Sequence, residues 1–446
     1  MKSMTATTSQ TSNNTHKQIW LLAWPIMLSN ISVPLLGLVD TAILGHLDNP
    51  NHLAAVAMGA SLFTFVLWSF GFLRMGTTAL IAQQFGKQGN SDQSSAFTAI
   101  LQSSMLLGVS IGVVILLVSP LLISFMVWVV DAVDSVSPLA QTYLQIRFMS
   151  APATLMNYAL LGLFIGLGNT RVPLILLVSA NSLNAILNYC FVYIWHMGSA
   201  GVAYASVIVE YLQLFAAVAF AYGYLFKALP FSNLKQYWPE LLQLNLNLFI
   251  RTLLLLFTLA FFMSRGAQHS AALLSANAIL LNLLLFISNA LDGFAVAAES
   301  LVGRACGKRD PKQVWQVVKD SGQWSLATAV LFSAILFVFN QPILGLLTSQ
   351  APVIELLIVL EPWLIFLPLA GFASYWLDGV FVGLADGRTM RNSLVFAVLF
   401  IYLPLWYVFQ SWPYHGLWLA FYGFLLARAF WLLIKLRPAI NKSLYF

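Results

Sequence analysis

The sequence predicts an all-α integral membrane protein: twelve transmembrane helices in two pseudo-symmetric six-helix lobes. Three observations carry that expectation. Apolar runs long enough to cross a bilayer recur twelve times, Lys and Arg gather on alternate connections, and the second half of the chain repeats the first. Composition sets the class. Hydrophobic residues make up 60% of 446 positions and charged residues only 8%, with a mean hydropathy of +0.83, whereas a soluble domain carries about 25% charged residues.

Runs of about 20 apolar residues match the thickness of the hydrocarbon when wound as helices. They fall near 18–46, 53–76, 94–120, 139–167, 172–195, 200–226, 240–264, 272–300, 314–345, 354–384, 392–411 and 414–436. Between the third and fourth spans, Met126–Val130 continues the apolar signal before Asp131, Asp134 and Pro138, and reads as an interfacial turn. The polar start lacks the apolar core of a signal peptide, so 1–17 reads as a short, disordered cytoplasmic tail. The end, 437–446, reads as a second tail, and its Ser443-Leu-Tyr-Phe446 resembles part of a protease-cleavage tag. Cys190 and Cys306 form neither a disulfide framework nor a metal-ligand cluster.

Cytoplasmic loops collect Lys and Arg, which orients the spans. With the amino terminus inside, 17 of the 21 basic residues fall on that side, including Lys87, Lys227, Lys308 and Arg428. Arg74, Arg147 and Arg251 lie within or at the edge of spans, and Arg265 near an outer end. The opposite loops carry His46, Asp48, His52, Asp131, Asp134, His196 and His415. Both termini are expected in the cytoplasm. The net charge of +6 follows from this topology, and no aromatic-interleaved basic patch argues for nucleic acid.

A shift of 221 residues lays Leu53, Ala55, Ala57, Phe65, Leu80, Gly86 and Lys87 onto Leu274, Ala276, Ala278, Phe286, Leu301, Gly307 and Lys308. Later in each half, Gly162-x-Phe164-x-Gly166-Leu167-x-x-x-Arg171 recurs as Gly379-x-Phe381-x-Gly383-Leu384-x-x-x-Arg388. A repeat of six spans enters the membrane from the same side each time, which relates the copies by an axis along the membrane normal. The expected lobes are 18–226 and 240–436, facing each other across a cleft, with 227–239, bearing Pro230 and Pro239, as the cytoplasmic linker. This is the geometry of alternating access. No GxSxG, HExxH or Walker sequence occurs, so neither an enzyme nor an ATP-driven pump is indicated, and energy would come from an ion gradient.

Asp40 stands near the far end of the first span. A carboxylate in hydrocarbon is costly and usually marks an ion or proton pathway. Asn181, Asn184 and Asn188 share one helical face, which suits either polar helix–helix contact or a partner for that carboxylate, since Asn donates to a carboxylate and accepts from a carboxylic acid. In the second half Asn282, Asn289, Asp292 and Glu299 share a face. Asp292 reads as a second proton site, a structural partner of Arg251, or part of a substrate path. Glu210 and Asp378 are weaker candidates. Pro25 and Pro34 each remove a backbone donor from the first helix, giving a static kink or a joint that moves when Asp40 changes charge. No catalytic or metal-ligating set is expected.

Pro25 and Asp40, the Asn181-x-x-Asn184-x-x-x-Asn188 run, the Gly198-Ser-Ala-Gly-Val-Ala-Tyr-Ala-Ser206 start of the sixth span, and both Gly-x-Phe-x-Gly-Leu-x-x-x-Arg segments resemble the multidrug and toxic compound extrusion (MATE) transporters. The segments around Pro34 to Asp40, Asp292 and Asp378 resemble the DinF branch. The resemblance implies a multi-pass protein of the inner (plasma) membrane, a monomer exporting cationic or amphipathic drug-like compounds, without a cofactor, driven by protons or sodium. It gives Asp40 the coupling role and a polar site to Asn184, Asn188 and Ser206, where the family's Asp and Thr are here Asn188 and Ser206. The NorM type places an acidic residue on helix seven. The span 240–264 has none beyond Glu240 at its edge, so protons move ahead of sodium. The alternatives are a sodium-coupled drug antiporter and a flippase for a lipid-linked precursor, the latter expected to need more intramembrane cations than Arg74, Arg147 and Arg251.

Overall fold

The computed structural model describes residues 2–87, 93–130, 135–225, 231–412 and 414–445. Asp131, Asp134, Lys227 and Pro230 lie outside them. The helices, in order, are α1 (Lys2–Gly45), α2 (Asn51–Trp68), α3 (Phe72–Gly86), α4 (Gln93–Val130), α5 (Ser137–Phe148), α6 (Ala151–Gly166), α7 (Arg171–Tyr189), α8 (Gly198–Phe220), α9 (Tyr222–Leu225), α10 (Phe231–Ala267), α11 (Ala271–Gly307), α12 (Pro311–Leu347), α13 (Ala351–Gly383), α14 (Gly387–Phe396), α15 (Leu403–Phe409) and α16 (Gly416–Tyr445). A π-helical turn, Cys190–Ile194, extends α7, and a second, Ala397–Tyr402, joins α14 to α15. Among the described residues eleven helical stretches are long and apolar enough to cross a membrane, with α2 and α3 forming one; α5 and α6, bent by 50°, supply a twelfth. Leu117, Leu121, Phe215 and Phe337 are among the large apolar side chains left exposed, as hydrocarbon surroundings require.

The chain folds as two compact units: Met1–Met27, Phe85–Gln88 and Leu244–Phe446 in the first, Leu28–Gln84 and Gly89–Gln243 in the second. The core of the first unit is built on α10, α11, α13 and α16 around Phe262, Leu280, Trp418, Phe421 and Phe424. The first part of α1 belongs to this unit. Trp20 meets Phe294 edge-on at 5.5 Å, and Gly293 leaves room for Met27 and the Ala23 carbonyl.

The repeated glycine motif has a packing reason in each unit. In the second, a Cβ on Gly162 would stand 2.6 Å from the Arg74 carbonyl, and one on Gly166 would stand 2.9 Å from the Thr78 carbonyl and 2.8 Å from Ile81. In the first, a Cβ on Gly379 would overlap the Ala295 carbonyl, and one on Gly383 would stand 2.7 Å from the Glu299 carbonyl and 3.0 Å from Val302. The shift of 221 relates Arg74 to Ala295, Thr78 to Glu299 and Ile81 to Val302. Both copies therefore use two glycines four residues apart to bring a helix against the same stretch of its neighbour, the small-residue packing of membrane helices. Each motif also ends alike: Gly168 and Ala385 take positive φ of 61° and 56°. In each copy two backbone N–H groups close back on the last turn, Gly168 to Ile165 and Asn169 to Phe164, Ala385 to Val382 and Asp386 to Phe381, a left-handed helix cap.

Four boundaries differ from the sequence expectation. The polar start is helical from Lys2 rather than a disordered tail. His16 is tied down, because Trp324 Nε1 donates to its Nδ1 at 3.1 Å and Asp320 lies 3.8 Å from its Nε2. Met126–Val130 is the end of α4, not a turn, since the apolar run continues and Pro120 does not end the helix. The expected linker is helical from Phe231 through Pro239. At the far end α16 runs on to Tyr445, leaving no separate tail before it.

Candidate functional site

In the second unit α1 and α7 are fastened by polar contacts at three levels. Asn181 Nδ2 donates to Ser32 Oγ at 2.8 Å, Asn188 Nδ2 to Asp40 Oδ1 at 2.6 Å, and the Tyr193 hydroxyl to the Ile43 carbonyl at 2.8 Å. The middle level continues inward. Asn188 Nδ2 also donates to Asn184 Oδ1 at 2.8 Å, and Asn184 Nδ2 donates to Ser206 Oγ on α8 at 3.1 Å.

Asn188 has no exposed surface, Asn184 is 4% exposed, and Asp40 is half-buried between exposed neighbours. Both amide protons of Asn188 are committed, one to the carboxylate and one to Asn184, while its Oδ1 is buried without a hydrogen-bond partner. An ionised Asp40 can only accept, so Asn188 serves it as donor. A protonated Asp40 carries an O–H, which an amide oxygen can accept. One amide is thus equipped for both protonation states.

The structure brings Asp40, Asn184, Asn188 and Ser206 into one chain, with Asn181 one level away. It does not bring Pro25 to them. Pro25 belongs to the other unit. Pro34 lies on an exposed stretch of α1, which runs unbroken through both prolines.

In the first unit Arg251 is paired with Asp378, and so is Arg428, through Nη2 of each guanidinium to Oδ2. Arg251 thus finds a carboxylate on α13. Asp292 and Arg251 both lie within electrostatic reach of Tyr375, and Glu299 is buried on α11. Arg428 corrects the sequence reading. Counted with the inner loops, it is fully buried in α16, because Asp378 offers it a partner inside the bundle. The signal was present as an Asp within the tenth span that lacked an assigned cation. Among the described residues no group of three or more His, Cys, Asp or Glu could hold a metal.

Comparison with known proteins agrees with this architecture. The MatE family model matches residues 25–190 and 246–408. DNA damage-inducible protein F of Escherichia coli (strain K12) is 37% identical over 420 residues, 92% of this chain and 90% of that protein. A probable multidrug resistance protein NorM of Acinetobacter baylyi is 31% identical over 241 residues, 53% of this chain and 51% of that protein. The crystal structure of the Vibrio cholerae MATE transporter VcmN in its bent form superimposes with a TM-score of 0.86 at 19% identity, covering 97% of this chain and 99% of that one, a likeness of fold. On the family match and an identity of 37% across nearly its whole length, the chain belongs to the MatE family, whose members are transporters and not enzymes.

Proposed function

We propose that the protein is a proton-coupled exporter of cationic or amphipathic compounds, an antiporter working by alternating access in the plasma membrane with both termini in the cytoplasm. The observation that carries this reading is the Asp40–Asn188 contact: an intramembrane carboxylate served by a buried amide, a group that can both donate and accept. Such a pair suits a group that gains and loses a proton within the bilayer.

Two features favour protons over sodium. A sodium ion is held by converging oxygen ligands, whereas Asp40 is met by an N–H donor, and the position where the family's polar site has an Asp is the neutral Asn188. In the other unit Asp378 is engaged by two guanidiniums, which an alkali cation would have to displace. The flippase alternative is less well supported. It asks for free cationic surface, while Arg147, Arg251 and Arg428 are each bonded to a carboxylate.

The test is efflux of a fluorescent cationic dye from proteoliposomes. An imposed pH gradient should drive it without sodium, and Asp40→Asn should abolish the driven component. Gradient-driven efflux undiminished in well-folded Asp40→Asn, or an absolute need for sodium, would overturn the reading.

A further inference from the structure

The Asp40 chain ends at Ser206, and one turn further along α8 stands Glu210 on the same face. Glu210 belongs to a second polar cluster. Its Oε1 accepts from Arg147 Nη2 at 3.1 Å, its Oε2 accepts from the Thr154 hydroxyl, and its backbone carbonyl accepts from Asn157 Nδ2 at 3.1 Å. Arg147 Nη1 donates to Ser150 Oγ at 3.0 Å, and the guanidinium lies 4.0 Å above the centre of the Phe63 ring. Both ends of the pair are therefore fixed, by α2 and α6 as well as by each other.

The cluster also reaches Asp40 from the other side. Tyr143, one turn before Arg147 on α5, shares its helix face, and both lie within electrostatic reach of Asp40. A Cβ on Gly59 would overlap the Tyr143 ring, so α2 packs directly against that ring. The charged or titratable groups around the pair are Asp40 on α1, Arg74 on α3, Tyr143 on α5 and Tyr158 on α6.

We propose that Arg147 and Glu210 are a positioning pair for proton coupling, a fixed internal dipole whose two charges act on Asp40 with opposite sign and set the pH range over which it exchanges its proton. This rests on the reading of Asp40 as the coupling residue. The geometry explains why an ion pair that costs desolvation to bury stands one turn from the end of the Asp40 chain. Its cation favours the ionised carboxylate and its anion the protonated one. Because Tyr143 and Arg147 share a face of α5, the positive end is presented to Asp40 together with the tyrosine.

The test uses the signs. Initial rates of dye efflux are measured in proteoliposomes across a range of pH, and the midpoint of the profile is compared among variants. Arg147→Met removes the positive charge, so Asp40 holds its proton to higher pH and the midpoint should rise, by roughly one pH unit. Glu210→Gln, which keeps size, should lower the midpoint. The double variant should return towards the wild-type value, and Arg147→Lys should stay near it. Packing defects would slow both variants without moving their midpoints in opposite directions. Shifts of the same sign, or none, would overturn the proposal. If Arg147→Met does not fold, Glu210→Gln decides alone, an unchanged or raised midpoint counting against it. Asp40→Asn is run alongside: if it retains coupled, pH-dependent efflux, the failure is that of the Asp40 reading, whereas its loss together with unmoved midpoints in the other variants sinks only the role of the pair.

Discussion

Two aspartates within the bilayer illustrate opposite uses of the same side chain. Asp40 is half-buried and held by one amide, so neutralising it removes a charge but little structure. Asp378 is buried between two guanidiniums that have been taken out of water with it. Removing one member of such a set leaves uncompensated charge in low dielectric, which costs about 3–5 kcal/mol. Thermal unfolding in detergent should therefore show Asp378→Ala strongly destabilised and Asp40→Asn close to wild type. Comparable melting of the two variants would mean that the guanidiniums find other partners. The Asp40 chain was legible in the sequence because Asn184 and Asn188 sit one turn apart and match a known pattern. Arg428 was not legible. Distribution rules for Lys and Arg count residues near helix ends, and they cannot tell an arginine facing a loop from one turned inward to a carboxylate on a helix 50 residues away.

At the scale of elements, the repeated glycines were legible as a pattern before their cause was visible. A spacing of four places Gly162 and Gly166, or Gly379 and Gly383, on one face of a helix, but only packing reveals that the face meets a backbone carbonyl. Gly379→Ala would force a methyl into the Ala295 carbonyl, and the helices must part, at a cost of about 1–3 kcal/mol. The caps give the reverse prediction. Gly168 takes positive φ without strain, whereas Ala385 holds the equivalent conformation with a Cβ, costing about 1 kcal/mol. Ala385→Gly should raise the melting temperature while Gly379→Ala lowers it, both read from thermal unfolding of the purified protein. Element ends were less legible. Polar composition at 2–16 and 231–239 looks like loop in sequence, yet α1 and α10 continue through these stretches. The reason is visible at His16, whose ring is bonded by Trp324 on α12 and fixes that part of α1 by tertiary contact.

At the scale of the whole molecule, the order of spans dictates which connections share a side of the membrane. Lys87 follows α3 and Lys308 follows α11, after the second and eighth spans, so an even number of crossings places them together. Asp48, between α1 and α2, follows one crossing, and His196, between the π-helical end of α7 and α8, follows five when α5 and α6 cross as one. The basic residues predict the direction, because Lys and Arg are retained on the cytoplasmic side during insertion. Single cysteines at these four positions, in a variant lacking Cys190 and Cys306, should divide two and two. A membrane-impermeant maleimide applied to intact cells should label Asp48→Cys and His196→Cys, and should label Lys87→Cys and Lys308→Cys only after the membrane is opened. The position of His196 makes the test sensitive to the bent pair. If α5 and α6 did not cross as a single span, the parity between Lys87 and His196 would change, and the two would label from one side.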